Sequence, residues 1–542
     1  MMLRLQSLAL ALTTAVVVAS QPSGAPDLIL VNGRVFTADA RMPWAEAVAV
    51  RGDRIVDVGT NTAVRQRADS ATQVIDLGGR VVVPGINDAH THVGARPPGT
   101  VLKLADDPTL DDVVAAVRSA AAASPADQWI YGTIGARALL DPKATRLVLD
   151  EAAPGRLVKL AAWTGHGNIL STSALRALGI NDRDPDPPFG RYGRLPDGTT
   201  SGLLEEYADV RANRRMTALA GRTAAIESLR RLANEAIGYG VTTIQAMGNS
   251  LTAADLASQL PEAATPIRWR VIRFPIALDA KDDPGSYAAV PRVPAPLVTV
   301  SGVKWMLDGT PVERLAAMNE PYIDRPGWSG RLNLAGADIE TVLRRALSSG
   351  DQLMLHIVGD RGVDEALSTM ERLAPAERWT RLRVRIEHGE FVSGDRIGRA
   401  RRLGVVVVQK PSHFTLADVM RVRRGARRAD SIDAIRSLVA AGVPFALGGD
   451  GPLNPYLNMM WAVTHEQHPS EALTREQAVT AYTAGSAFAE FAENTKGRLA
   501  AGMLADLAVL TQDIFTVAAD RLPATRSALT MINGRIVRNT LQ

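Results

Sequence analysis

The sequence predicts an α/β fold built on a (β/α)8 barrel, and three observations support this prediction. The chain has 542 residues, which is ample for a barrel of about 250 residues with insertions and a side domain. Short apolar runs typical of buried parallel strands alternate with stretches rich in Ala, Leu and Arg. Polar residues follow several of these runs, where barrel proteins hold their functional groups. A doubly wound sheet is the main alternative, and the convergence of these polar residues favours the barrel.

Both ends of the chain predict strands of one small β domain. Residues 28–36 and residues 529–537 each place an Asn-Gly pair between apolar segments, which is a hairpin signal. We expect the N-terminal part of this domain at residues 27–83 and the C-terminal part at residues 497–542.

Between the two ends, five apolar runs predict barrel strands. They are residues 298–306, 353–357, 384–386, 405–408 and 445–447. The barrel is expected to span residues 84–490. Residues 94–239 lack this regular rhythm, which we interpret as barrel units that carry an insertion at about residues 95–235.

Composition excludes several classes of protein. The net charge is +4, from 61 basic and 57 acidic residues, so we predict no nucleic-acid partner. Cysteine is absent, and a metal would therefore be held by His, Asp, Glu or a modified Lys.

The N-terminus has the pattern of a signal peptide at residues 1–19. Arg4 precedes an apolar run that ends at Ala19, with Val17 and Ala19 at a plausible cleavage site. This run is too short to span a membrane, and no later run is long enough without interruption. We therefore expect a periplasmic or secreted protein with no membrane span.

Two histidines indicate a metal site. His90 and His92 follow an apolar run, and in a strand they point to the same side. A strand end with His-x-His can offer two imidazoles to one cation, although a chance pair in a loop has the same pattern. Asp88 could orient an imidazole by accepting a hydrogen bond.

Three more polar residues end apolar runs in the same way. They are His356, His388 and Asp450. Each alone is commonly structural, as with an aspartate that caps a helix. Their shared placement at strand ends favours one common site.

Lys304 lies inside an apolar run, where a charged ammonium is costly to bury. Burial lowers the pKa of a lysine, and the neutral amine can take up carbon dioxide to form a carbamate that bridges two cations. The alternative is an ordinary lysine paired with Asp308 or Glu387.

Seven motifs distributed along the chain are specific when taken together. They are PGINDAHTH, VKWMLDG, LHIVGDRGVDEAL, RIEHGE, VVQKPSHF, LGGDGPLNP and KGRLAAGMLADLAVL. The pattern resembles the amidohydrolase superfamily, in particular its YtcJ-like branch (amidohydrolase family 3), over about residues 28–537. The resemblance implies a distorted (β/α)8 TIM barrel with a small β-sandwich formed from both chain ends.

The resemblance also implies a metal centre and a reaction. The cofactor would be a divalent metal, with Zn²⁺ expected and one or two ions left open. A metal-activated hydroxide would hydrolyse a C–N bond of amide or formamide type, with Asp450 as general base and then acid. His166 would donate to the oxyanion, unless it is a structural histidine. The implied metal ligands are His90, His92, Lys304, His356, His388 and Asp450.

Two segments depart from the family pattern. Where the YtcJ-like branch has a run like DGHSAWVNSKAL, residues 164–175 keep His166 but lose the Asp and the Asn-Ser pair. Residues 310–314 read Thr-Pro-Val-Glu-Arg, where relatives favour small and hydroxyl residues. Both segments are expected to line the substrate pocket. The candidate substrate-binding residues are Trp163, Trp305, Lys410 and His413, with core packing as the alternative for the tryptophans.

Other functions fit parts of the same pattern. A metal-dependent esterase or lactonase would use the same metal and base, and a non-catalytic periplasmic binding protein would keep only the pocket. The expected partner is a small-molecule substrate. The number of chains in the assembly stays open, with a homodimer as one option.

Overall fold

The computed structural model describes residues 24–425 and 432–541, and the predicted signal peptide at residues 1–19 lies outside the described residues. Eight parallel strands form the central sheet and follow one another around it in chain order. They are, as β1 to β8, Ile86–His92, Val241–Met247, Arg268–Arg273, Val298–Met306, Leu353–Ile357, Arg385–His388, Val406–Gln409 and Phe445–Leu447.

The two edge strands of this sheet, β1 and β8, meet and close it into a barrel. The amide of Asp450, just after β8, donates a 2.9 Å hydrogen bond to the carbonyl of His90 in β1. Register shifts interrupt the pairing of β1 with β2 and of β3 with β4, so the barrel is distorted. The consecutive strand order confirms the predicted fold class and rules out a doubly wound sheet, in which the order reverses.

Helices surround the barrel and bury apolar residues at helical spacing. Helix Asp360–Leu373, for example, buries Val363, Ala366, Leu367 and Met370, which recur at i, i+3, i+4 and i+7. The longest helix, Tyr207–Gly238, is kinked at Gly221, where φ is 83°. The other helices of this region are Ala253–Ala263, Pro284–Tyr287, Ala337–Ser349, Asp360–Leu373, Ala376–Leu382, Asp395–Leu403, Ala417–Arg424, Ile435–Ala440, Pro455–Thr464, Arg475–Thr480 and Ser486–Phe488, with shorter turns of helix at Pro411–Leu416, Pro469–Glu471 and Ala481–Gly485.

Strands from both chain ends share one sheet, as the sequence predicts. Strand Val81–Pro84 pairs antiparallel with Leu507–Leu510, so segments from the two ends of the chain meet in one sheet. The six strands of this sheet are Arg34–Phe36, Trp44–Ala45, Val81–Pro84, Leu507–Leu510, Ser527–Ile532 and Arg535–Asn539. A second sheet contains Leu28–Val31, Ala47–Arg51, Arg54–Gly59 and Gln73–Asp76, beside the helix Asn61–Arg65, and a turn of helix at Ala519–Ala524 precedes the last two strands of the first sheet.

The stretch between β1 and β2 forms a separate six-stranded sheet with its own apolar core around Ile130 and Leu160. The sequence predicts barrel units in this stretch, with an insertion. The stretch contains none of the eight barrel strands, and the barrel element that it does contain is the helix Tyr207–Gly238, which leads into β2. The strands of the inserted sheet are Gly99–Val101, Trp129–Ile134, Leu157–Ala162, Gly167–Leu170, Gly190–Arg194 and Thr200–Glu206, and its helices are Leu110–Ala123, Ala136–Leu139, Arg146–Ala152 and Thr172–Ala177.

Within residues 24–425 and 432–541, none of the helices combines the length and the apolar character that crossing a membrane requires.

Candidate metal centre

The carboxyl ends of the barrel strands bring the predicted ligands together. His90, His388 and Asp450 place their ligand atoms within 4.8 Å of one another. His90 Nε2 also lies 3.3 Å from His92 Nε2 and 2.7 Å from Lys304 Nζ. Five of the six predicted ligands thus form one cluster, although they come from β1, β4, β6 and the turn after β8.

His356, the sixth predicted ligand, joins this cluster from β5. Its ring centroid lies 4.3 Å from that of His388 and 4.6 Å from that of His166. Its Nε2 is buried and has no hydrogen-bond partner among the described residues. A buried polar atom without a partner is costly, and an imidazole nitrogen in this state is suited to bind a metal.

Glu387 fixes the orientation of His90. His90 Nδ1 lies 2.5 Å from Glu387 Oε2, and both side chains are fully buried. Because Nδ1 donates its proton to this carboxylate, Nε2 keeps a free lone pair directed at the cluster. Metal-binding histidines are characteristically held by such a carboxylate.

Two buried cations hold Glu387 in place. Arg385 Nε donates to Glu387 Oε1 at 2.7 Å, and Lys410 Nζ donates to Glu387 Oε2 at 2.9 Å. Burial alone would raise the pKa of Glu387, but these two cations and His90 hold it well below its usual range. From the sequence, Glu387 is expected only as a possible partner for Lys304. The signal it missed is the buried Arg-x-Glu pair on one face of β6.

Asp88 has a different role from the predicted one. Its Oδ1 accepts hydrogen bonds from the backbone amides of His90 at 3.0 Å and Gly449 at 2.9 Å. The carboxylate therefore ties β1 to the end of β8 and does not orient an imidazole. It positions the two segments that carry His90 and Asp450.

The protonation states suit metal binding. Burial lowers the pKa values of His90, His356 and His388 well below the usual range, which favours the neutral form that binds a metal. Burial acts to raise the pKa of Asp450, but the imidazoles of His90, His92 and His388 hold it well below its usual range. Asp450 is therefore a carboxylate at neutral pH.

Lys304 is buried with its amine in the cluster. Burial lowers the pKa of Lys304 to about 7. Asp308, one of the two partners considered from the sequence, instead accepts backbone N–H groups of Ala317, Val358 and Gly359 at 2.8 to 3.0 Å. The amine of Lys304 contacts His90, and its carboxylation stays a prediction.

The backbone is strained at two of the cluster residues. His388 has a φ of 71° and Asp450 a φ of 48°, both in the left-handed region that favours glycine. Such conformations concentrate at functional sites, where the surrounding structure holds them. This backbone conformation turns the side chains of both residues toward the cluster.

The donor set fits a divalent cation. It offers imidazole nitrogens and a carboxylate, one imidazole is oriented by a buried carboxylate, and His356 Nε2 is unpartnered within the described part of the chain. Nitrogen and oxygen donors of this kind suit Zn²⁺ and similar divalent ions.

Two adjoining cavities open onto the cluster. The larger one, the apolar lobe, has a volume of about 690 Å³ and walls that include Trp163, Val312, Met420, Leu457 and Trp461. The smaller one, the polar lobe, has a volume of about 300 Å³ and is lined by five of the six predicted ligands. Trp163, Thr164, His166 and His388 line both lobes.

The inserted sheet supplies His166 to the cavity. The loop of residues 163–166 joins the antiparallel strands Leu157–Ala162 and Gly167–Leu170 and reaches the barrel mouth. His166 Nδ1 lies 3.1 Å from Glu206 Oε1. Burial acts to lower the pKa of His166, but the charge of Glu206 raises it to about 9, so this histidine is a cation at neutral pH.

The two segments that depart from the family pattern contact each other. The carboxylate of Glu313 accepts hydrogen bonds from the hydroxyls of Thr164 and Thr310. Both threonines line the apolar lobe, whereas Glu313 lies behind them, buried. The two unusual segments thus form one connected part of the pocket wall. The sequence predicts that each lines the pocket but does not predict their contact.

The four predicted substrate-binding residues divide into two groups. Trp163 lines both lobes, and His413 lines the apolar lobe with its ring stacked 5.4 Å from that of His388. Lys410 is buried against Glu387 inside the barrel and lines neither lobe. Trp305 follows Lys304 in β4, so it points to the opposite face of the strand, where its ring lies 6.1 Å from that of Phe189.

Comparisons with known proteins find relatives that match nearly the whole chain. The chain is 28% identical to the N-substituted formamide deformylase of Arthrobacter pascens, over 94% of this chain and 97% of that protein. It is 26% identical to the "Putative amidohydrolase YtcJ" of Bacillus subtilis (strain 168), over 93% of this chain and 98% of that protein. A solved structure of an uncharacterized metal-dependent hydrolase from Pyrococcus horikoshii OT3 covers 91% of this chain and 99% of its own, with 20% identity and a TM-score of 0.70.

These matches confirm the resemblance to the YtcJ-like branch and the barrel fold. The model of the amidohydrolase family matches residues 73–538, a range that includes each of the predicted ligands and His166. The chain therefore belongs to the amidohydrolase family.

Proposed function

We propose that this protein is a metal-dependent hydrolase that cleaves the C–N bond of a small N-substituted amide or formamide. The observation that carries the proposal is the convergence of His90, His388 and Asp450 within 4.8 Å, with Lys304 Nζ 2.7 Å from His90 Nε2. The relative named N-substituted formamide deformylase supports the choice of an amide substrate.

The residues that would hold a divalent cation, expected to be Zn²⁺, are the six predicted ligands. When bound, the cation polarises the substrate carbonyl and lowers the pKa of a water molecule, which is the chemistry that amide hydrolysis needs. The chain's own residues then orient the substrate and move protons.

Asp450 serves as the proton shuttle. Its carboxylate is ionised at neutral pH, because three imidazoles hold its pKa low. It accepts a proton from the attacking water as the new C–O bond forms, and it delivers that proton to the leaving nitrogen as the C–N bond breaks. The products are a carboxylic acid and an amine, and an amine leaves only once it is protonated.

His166 stabilises the negative charge that develops on the substrate oxygen. Glu206 accepts from Nδ1 and keeps the ring protonated, so the other ring nitrogen is free to donate into the cavity. A fixed cationic donor in a buried site acts as half of an oxyanion hole. The apolar lobe next to His166 suits a hydrophobic N-substituent.

We also propose that the protein is exported. The support for this is the sequence pattern at residues 1–19, a basic residue followed by an apolar run and a small-residue cleavage site.

The test is a paired assay on the purified, Zn²⁺-loaded protein. Formamides, acetamides and acetate esters that share one aromatic group are compared before and after chelation and after Zn²⁺ is restored. We expect amide cleavage that is lost with the metal and regained with it. The D450N variant should lower kcat by about 10²- to 10⁴-fold, whereas D279N, at an exposed aspartate, serves as the matched control.

Two results would contradict the proposal. One is amide cleavage that survives both chelation and D450N, and the other is ester cleavage with no amide cleavage at all. The second result would favour the alternative function, a metal-dependent esterase or lactonase.

A further inference from the structure

The polar lobe contains two hydrogen-bond acceptors that the proposed reaction does not use. Asp209 and Asn249 line this lobe, as do the metal-site residues His356 and Asp450. Asp209 lies in the first turn of helix Tyr207–Gly238, and Asn249 follows β2. Two side chains from different elements therefore line the same small cavity.

Both acceptors are unsatisfied. Asp209 is 2% exposed, and its Oδ1 has no hydrogen-bond partner in the part of the chain that the structure describes. The same is true of the buried Oδ1 of Asn249. The other oxygen of Asp209 accepts from Asn213 Nδ2 at 3.1 Å, so the carboxylate is fixed with one oxygen left unpaired.

The charge of Asp209 also lacks a direct partner. The cations of Lys159 and His166 act on Asp209 from a distance and lower its pKa, but the ammonium of Lys159 donates to Asn213 Oδ1 and His166 pairs with Glu206. A buried carboxylate oxygen without a donor costs free energy, and a donor that arrives with a ligand would recover it. Burial raises the pKa of Asp209 to about 7, which is the effect expected of a carboxylate short of donors.

An ammonium group matches this arrangement. It carries three N–H donors, which is enough to serve both unpaired oxygens, and its charge complements the carboxylate. A hydroxyl group has a single donor and no charge, and a methyl group has no donor and no charge. The polar lobe is also less than half as large as the apolar lobe, at about 300 Å³ against about 690 Å³, so it suits the smaller half of a substrate.

We propose that Asp209 and Asn249 form a subsite for an ammonium group on a short acyl half of the substrate, so that the enzyme prefers amides of small amino acids. The bulky amine half then occupies the apolar lobe. The inference rests on the proposed function, because it assigns the two halves of an amide to the two lobes.

Three phenethylamides of equal size test this subsite on the Zn²⁺-loaded protein. The acyl groups are glycyl, glycolyl and propionyl, which place an ammonium, a hydroxyl or a methyl at the same position. We expect kcat/KM for the glycyl amide to exceed that for the propionyl amide by about 10- to 100-fold, with the glycolyl amide between them. Equal rates, or a preference for the propionyl amide, would overturn the subsite.

The D209N variant makes the test specific. It keeps the size of the side chain and removes its charge, and we expect the ratio of the two kcat/KM values to fall to within about threefold. The surface variant D279N should keep the wild-type ratio. An unchanged ratio in D209N would contradict the assignment, and if D209N does not fold, the ratio in the wild-type protein decides.

The affinities of the same three amides, measured by calorimetry, separate this inference from the proposed function. If none of the amides is hydrolysed, the proposed function fails, and an affinity about tenfold higher for the glycyl amide than for the propionyl amide would still support the subsite. Hydrolysis of all three with equal affinities and rates would support the proposed function and overturn the subsite.

Discussion

His90 Nδ1 lies 2.5 Å from Glu387 Oε2, and this contact joins the metal cluster to the charged interior of the barrel. Lys410 donates to the same oxygen of Glu387 and Arg385 donates to the other oxygen, and both cations are fully buried. The orientation of the first metal ligand thus depends on side chains that do not themselves face the substrate cavity.

Replacing Glu387 with glutamine should weaken metal binding by about 10- to 100-fold. The glutamine can keep one hydrogen bond but loses the charge that fixes the tautomer and ring orientation of His90. It also leaves Arg385 and Lys410 without their counter-ion, so the thermal midpoint should fall. Metal affinity is measured by competition with a chelator of known strength.

A carboxylate outside the barrel provides the control for this change. Glu493 pairs with Arg383 at 2.6 Å, and E493Q breaks an ion pair without contact to the cluster. Its metal affinity should equal that of the wild-type protein. The role assigned to Glu387 is wrong if E387Q binds the metal as tightly as E493Q does.

Lys304 should take up carbon dioxide as a carbamate when its amine is neutral. Burial lowers its pKa to about 7, so the reactive amine becomes the main form as the pH rises through that value. Protein in ¹³C-bicarbonate should give a carbamate signal in the NMR spectrum, and it should hold more metal than protein in carbonate-free buffer. The K304M variant should lose the signal.

Lys496 supplies the matched control for Lys304. It is also buried, but its amine pairs with Glu490 at 2.8 Å and lies outside the cluster. K496M should keep the carbamate signal. A metal content that does not respond to bicarbonate, with no carbamate signal in the wild-type protein, would show that Lys304 stays a free amine.

Variants of Trp163 and Trp305 test which of the predicted pocket residues contact the substrate. Trp163 lines both lobes, so W163F should raise KM for a phenethylamide by about tenfold through lost contact area. Trp305 packs on the outer side of β4, so W305F should leave KM unchanged and lower the thermal midpoint. Steady-state kinetics of both variants decide, and a larger rise in KM for W305F would contradict this placement.

Much of the metal cluster could be predicted from the sequence because its residues end apolar runs. His356, His388 and Asp450 each end or follow a run that forms a barrel strand, and the carboxyl ends of parallel strands meet at one face. The apolar run before His90 instead forms the strand Val81–Pro84 of the sheet from the chain ends, and His90 lies in the next strand, β1. The pairing of the two chain ends could be predicted as well, from hairpin signals that both ends share.

The parts that could not be predicted depend on contacts between distant segments. Nothing local to Glu206 or Glu313 indicates that they hold His166 and Thr164, because these partners lie more than 35 residues away in the chain. Trp305 is next to the cluster residue Lys304 in its motif, yet it points to the other face of β4. Lys410 shares a motif with His413, which lines the apolar lobe, yet its amine is buried against Glu387. In a strand a shift of one residue reverses the face, which the motif pattern alone does not resolve.

Asp308 should make stability depend on pH in a defined direction. Its buried carboxyl group accepts N–H groups of Val358 and Gly359, among others, and burial raises its pKa to about 7, above the value of about 3.9 for an unfolded chain. Because the folded state binds this proton more tightly, the contribution to stability is complete below about pH 4. It is lost as the pH rises through about 7.

The D308N variant isolates this contribution. Its amide does not titrate, and it turns an NH₂ group toward backbone donors, which should cost about 1 to 3 kcal/mol of unfolding free energy. The thermal midpoint of the wild-type protein should therefore exceed that of D308N by more at pH 5 than at pH 8, at one fixed scan rate. D279N, at a surface aspartate, corrects for effects of pH on the whole protein. A gap between wild type and D308N that stays constant from pH 5 to pH 8 would mean that Asp308 is ionised throughout and is stabilised by its three backbone donors.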